Sequence, residues 1–113
     1  DYDLILTGDP GHYGKSILTE YMKKNYQISL GKNYNDCGLI LYDTKKQPVL
    51  AGASGPVTSA LVMATYVLNK LKTKKLNKVL LVPTGAIFSP TMVLEKESIP
   101  AISHAVELER MEL

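Results

Sequence analysis

A chain of 113 residues is one domain of ordinary size, able to bury a core and too short to hold two. Hydrophobic residues make up 45% and charged residues 21%, which excludes a disordered or fibrous protein, and a net charge of +2 is too small a basic excess to make nucleic acid an expected partner. A single cysteine, Cys37, excludes an internal disulfide and fits a reducing compartment.

No apolar run approaches the roughly 18 to 20 residues that span a bilayer, so no transmembrane segment is expected. The chain opens on DYDLILTG with neither methionine nor a basic leader, and it reads as a piece of something longer.

The elements follow in order. Asp3 to Thr7 is a short apolar run closed by Gly8, the form of a strand buried on both faces in a parallel sheet. Lys15 to Tyr26 sets Ile17, Leu18, Tyr21 and Met22 at helical spacing with Lys23 and Lys24 near its end, an amphipathic helix with dipole-compatible charges. Gly38 to Tyr42 reads as a second strand, and Asp43 to Pro48 as a polar turn. After a Gly/Ser/Thr turn, the helix from Pro56 carries Leu61, Val62, Ala64, Thr65, Leu68 and Leu71 on adjoining faces and is expected to be largely buried. Val79 to Val82 is a third buried strand, and Ile102 to Leu108 alternates like a half-covered edge strand, with His104 inside it. The predicted class is α/β, a mixed sheet of about four to five strands with helices on both faces, in one domain over residues 1–113.

GDPGHYGKS, from Gly8 to Ser16, follows a strand and ends in Gly-Lys-Ser, but it is not a phosphate loop. Five residues separate Gly8 from Gly14 where four are needed, and Asp9 would repel phosphate. The turn reads instead as a strand-to-helix connection with a solvent-facing Lys15. His12 and His104 lack partners at metal-ligand spacing, so no metal site and no cofactor are expected. His12 reads as a surface histidine near the carboxyl ends of the strands, and Cys37 as a small buried hydrophobe rather than a nucleophile. Asp36, beside Asn33, Tyr34 and Asn35, reads as turn chemistry. Lys70, Lys72, Lys74, Lys75 and Lys78 form a basic patch that reads either as a solvated helix end or as a contact for an anionic membrane.

What remains as a candidate site is a pair of small-residue turns facing one pocket. Their backbone amides, opened by glycine and favoured by a helix amino end, suit a carbonyl or carboxylate oxygen. The candidate ligand-binding residues are Thr7, Gly8, Asp9, Ser54, Gly55, Thr84 and Gly85. None is a catalytic side chain.

Taken in order, DLILTGDPGHYG, NYNDCGLILYD, GASGPVTSA, VLLVPTGAIFSPT and ESIPAISHAVELE resemble the carboxy-terminal half of the stage V sporulation protein AD family, with the match running through the whole chain. The resemblance implies one of two similar halves of a thiolase-like αβαβα protein. In the wider superfamily's condensing enzymes this half supplies a histidine after the first strand and a histidine or asparagine in the later Gly-rich turn. Here those places read Thr7-Gly8-Asp9 and Gly55-Pro56-Val57-Thr58, where nothing replaces imidazole as proton acceptor.

The family implies a non-catalytic pocket for dipicolinic acid as its calcium chelate, serving uptake into and release from bacterial spores. The implied partners are the amino-terminal half, other spore membrane proteins and further copies of the protein, with peripheral placement at the inner membrane of the forespore or spore. Two other readings stay open, a thiolase-like acyltransferase whose nucleophile lies in the other half, and a docking or dimerisation module.

Overall fold

The computed structural model describes residues 1–52, 55–86 and 88–111. Its strands are β1 (Leu4–Thr7), β2 (Tyr34–Asp36), β3 (Lys78–Val82) and β4 (Val106–Glu109). Its helices are α1 (Gly11–Tyr26), α2 (Cys37–Leu41), α3 (Thr58–Val62), α4 (Leu68–Lys72) and α5 (Pro90–Leu94), with a π-helical turn, Met63–Val67, joining α3 to α4. The four strands form one mixed sheet in the order β2-β1-β3-β4. β1 runs parallel to β2 and β3, with Leu6 beside Asn35 and Leu81, while β4 runs antiparallel to β3.

The chain leaves β1 in one direction to reach β2, then crosses back over β1 to reach β3. Right-handed crossovers of opposite direction put α1 and α3–α4 on opposite faces. Leu4, Leu6, Val79, Leu81 and Leu108 join Val62, Val67 and Leu71 of the second crossover in the main core. On the other face Lys15 of α1 lies 5.7 Å from the Tyr34 ring centroid and donates to Asn35 Oδ1 at 3.2 Å. Lys15 is therefore half-buried and engaged, contrary to the solvent-facing role expected.

Three other expectations are corrected. Gly38–Tyr42 is not a strand: the apolar run Cys37–Leu41 is helix α2, and the more polar Tyr34–Asn35–Asp36 before it forms the strand. The helix from Pro56 is buried along one line only, through Thr58, Val62, Val67 and Leu71. The five-residue step from Val62 to Val67 is the π turn, and it leaves Leu61 and Leu68 41% and 49% exposed. The last strand starts at Val106, so His104 lies in an exposed connection, not in a strand.

Asp36 ties these pieces together. Fully buried, it accepts from the Thr7 hydroxyl at 2.8 Å, the Gly11 amide at 3.1 Å and the Gly38 amide at 3.0 Å. One carboxylate thus joins β1 to β2 and anchors the amino ends of α1 and α2. Burial pushes its carboxyl above the usual carboxylate range, and the hydrogen bonds from Thr7, Gly11 and Gly38 pull against that shift. The sequence suggests turn chemistry, but Asp36 is the last residue of β2 and the cap of α2, placed at a buried junction.

Candidate functional site

The reversal of strand order falls between β1 and β3, and open α/β sheets bind ligands outside the carboxyl ends of strands at such a point. The segments leaving those ends are Thr7-Gly8-Asp9 and Pro83-Thr84-Gly85. The turn before α3 joins them through one side chain. Asp9 accepts from the Thr84 hydroxyl at 2.5 Å through Oδ1 and from the Gly55 amide at 2.9 Å through Oδ2, and its own amide donates to Thr84 Oγ1 at 3.1 Å.

Six of the seven candidate residues are therefore adjoining, and Ser54 lies outside the described residues. Two depressions meet at Thr84. One, of about 480 Å³, is lined by Asp9, Gly55, Pro56, Ser59, Pro83 and Thr84. The other, of about 330 Å³, is walled by Thr7, Gly8 and Pro10 on one side and by Gly85, Ile102 and Ser103 on the other.

The glycines do different work from that expected. A β-carbon on Gly8 would stand 2.5 Å from Thr84 Oγ1 and 2.6 Å from its amide nitrogen, so Gly8 permits close approach of the two loops. Gly55 faces open space but holds φ at +137°, and its amide already serves Asp9. The amides expected to be open to an anion are thus partly taken by a carboxylate of the protein itself. A free anion entering the cleft meets the Asp9 charge.

Sequence reasoning missed Ser59, one helical turn beyond Gly55. Its hydroxyl lies 3.2 Å from where a Gly8 β-carbon would be, and it lines the larger cleft. The signal was available: a Gly-rich turn feeding a helix brings the first helical turn to the same site. The nearby Cys37 thiol is fully buried and pushed up to about 11, chiefly by burial and then by the charge of Asp36, with Ser59 pulling against the shift. Cys37 stays a protonated core residue at neutral pH, as its sequence context suggested.

His12 is exposed at the start of α1 and lies outside both clefts, its amide bonded to Ala51 O at 2.8 Å. Among the described residues, the polar groups lining the two clefts are hydroxyls, one carboxylate and backbone, with no imidazole. Among the described residues no group of three or more His, Cys, Asp or Glu is placed to hold a metal ion, and no helix is long and apolar enough to cross a membrane.

The profile of the family described as Stage V sporulation protein AD (SpoVAD) matches residues 1–109. The chain belongs to the stage V sporulation protein AD family. It is 46% identical over 110 residues to "Stage V sporulation protein AD" of Bacillus subtilis (strain 168), an alignment covering 97% of this chain and 32% of that protein. The chain thus spans about a third of the relative's length.

Membership agrees with the resemblance carried by NDCG and VPTGAIFSP, and both segments have physical roles. In NDCG, Asn35 accepts from Lys15, Asp36 caps α2, Cys37 enters the core and the Gly38 carbonyl would lie 2.9 Å from a β-carbon on Gly52. In VPTGAIFSP, Thr84 meets Asp9 and Ser89 caps α5 through the Met92 amide. A SpoVAD-family chain is a sporulation protein, and these are the residues by which this stretch of it holds its shape.

Proposed function

We propose that this chain contributes one wall of a pocket for dipicolinic acid, bound as its calcium chelate, and that the protein supports uptake of that ligand into spores and its release. The observation that carries the reading is the Asp9 carboxylate, held by Thr84 and Gly55 at the mouth of a cleft of about 480 Å³. A free aromatic dianion is disfavoured beside that charge. Chelation by calcium neutralises the dianion and leaves the cation with unfilled oxygen positions, since calcium takes six to eight oxygen ligands. Asp9 and the Thr84 hydroxyl supply oxygens on the side facing the cleft.

The second wall belongs to an amino-terminal, thiolase-like half, and further copies and spore membrane proteins complete the assembly at the inner membrane. Support for a covering partner comes from Val57, Leu61 and Leu68, which line one side of the second crossover helix at 64%, 41% and 49% exposure. The absence of imidazole from the residues lining the two clefts favours binding over acyl transfer. Titration calorimetry with calcium dipicolinate on the protein extended to its amino-terminal half tests the reading. Saturable binding that requires calcium supports it, and heats indistinguishable from dilution at millimolar ligand reject it.

A further inference from the structure

The pole of the sheet opposite the cleft gathers the basic residues. β1, β2 and β3 run parallel, so their amino ends share that pole with the carboxyl ends of α1, α4 and β4. Its backbone is stitched together: Arg110 Nε donates to Asn77 Oδ1 at 2.9 Å, the Asn77 amide donates to Asp3 at 2.8 Å, and Asn33 Nδ2 donates to the Tyr2 carbonyl at 3.1 Å. Lys32, Lys72, Lys74 and Lys75 are exposed on this frame, with Lys70 and Arg110 half-exposed beside them. Acidic groups share this end: Asp1 is exposed, Glu109 faces Lys78 across the β3–β4 pair, and Asp3 and Glu107 are engaged. Asp3 accepts from the Asn77 and Lys78 amides, which hold its carboxyl below the usual range, and Glu107 pairs with Tyr2 and Lys78. Asp9 and Asp36 lie at the other pole, so the small net charge of +2 conceals a charge separation along the strands.

Exposed apolar side chains stand among these cations: Tyr26 is 59% exposed, Ile28 48% and Met111 78%. We infer that this pole contacts an anionic lipid surface, with lysines at the phosphates and Tyr26, Ile28 and Met111 in the headgroup layer, and that the cleft faces away from it. Two features favour lipid over nucleic acid. The cations are lysines with a single arginine, and they stand among apolar groups that gain nothing from a phosphate backbone. This inference rests on the inner-membrane placement proposed above, which it extends to a named end of the chain, and it is independent of the ligand proposed for the cleft.

Flotation of the chain with phosphatidylglycerol-containing vesicles tests it, against phosphatidylcholine vesicles as the neutral comparison. Binding is expected only to the anionic vesicles, and it should weaken steeply between low and high salt. The charge reversal K72E/K74E/K75E should lower vesicle affinity by on the order of a hundredfold. The variant K45E/K46E/K96E makes the same charge change away from this pole and should bind nearly as the parent does. Equal loss in both variants, equal binding to neutral vesicles, or no binding to anionic vesicles at low salt overturns the inference. A protein that ignores the vesicles but is captured by an acidic polymer points to a protein or nucleic-acid partner and also overturns it.

Discussion

Thr84 and Asp9 each donate to and accept from the other, hydroxyl to carboxylate at 2.5 Å and amide to hydroxyl at 3.1 Å. This reciprocal pair closes the β1 and β3 loops over the sheet's switch point. Thr84→Val keeps the shape and removes both bonds, and it should destabilise the chain by about 1–2 kcal/mol. Thr84→Ser should restore most of that loss. Urea unfolding of the three proteins gives the comparison, and an unchanged midpoint in the valine variant contradicts the assigned role.

Gly8 and Gly55 should respond differently to alanine. Gly8→Ala forces a methyl against Thr84 backbone and side chain, so an overpacking cost of about 1–3 kcal/mol is expected. At Gly55 the methyl meets open space, and the cost, roughly 1–3 kcal/mol, comes from backbone strain alone. The variants separate by amide exchange: Gly8→Ala should deprotect the Asp9 amide, whereas Gly55→Ala should leave it protected. Equal deprotection in both would refute the close approach of Gly8 to Thr84.

Asp36 sets a pH dependence of definite sign. Its folded carboxyl is raised by burial, so its stabilising effect is fully present below the ordinary aspartate value near 3.9 and declines as pH rises through the raised value. Asp36→Asn keeps an acceptor for the Gly11 and Gly38 amides and removes the titration. Relative to that variant, the parent should lose stability as pH rises above the ordinary value. Asp36→Ala orphans three buried donors and should cost roughly 3 kcal/mol or more at any pH. A parent and an asparagine variant with parallel stability profiles would contradict the shift.

Cys37 should resist alkylation. With its thiol pushed up to about 11 and no exposed surface, it should react with iodoacetamide at pH 8 only as fast as the chain opens, and readily in guanidinium. Rapid labelling of the folded chain would show that α2 does not cover it.

The exposed stripe on the second crossover helix predicts self-association of the chain alone. L61K/L68K should shift sedimentation towards monomer while the folded chain keeps its circular-dichroism spectrum, because these side chains are 41% and 49% exposed. Unchanged sedimentation would leave that face without a partner role.

The parts legible in the sequence were those where one physical signal acts alone. Leu4–Thr7 and Val79–Val82 are apolar runs flanked by turn residues, and the helical period over Lys15–Tyr26 marks the body of α1, whose first turn, Gly11–Gly14, reads as loop in the sequence. Cys37–Leu41 misled because five apolar residues fit a strand or a buried helix equally. The Asp36 cap decided the matter, and its geometry depends on Thr7 and Gly11, distant in sequence. The π turn was illegible for a related reason: a 3.6-residue period predicts burial of Leu61 and Leu68, and only the packing of Val62 and Val67 against the sheet reveals the extra residue. At the site, the turns were found from their glycines, but the capture of the Gly55 amide by Asp9 required the fold.

The measurement that bears most directly on the central claim is calorimetric titration of calcium dipicolinate into the protein carrying both halves, with the Asp9→Asn variant alongside. The account predicts saturable, calcium-dependent binding to the parent, and a loss of at least tenfold in Asp9→Asn, where the variant has the parent's unfolding midpoint. Equal affinity for the chelate in parent and variant, or equal binding of dipicolinate with calcium removed, would contradict it.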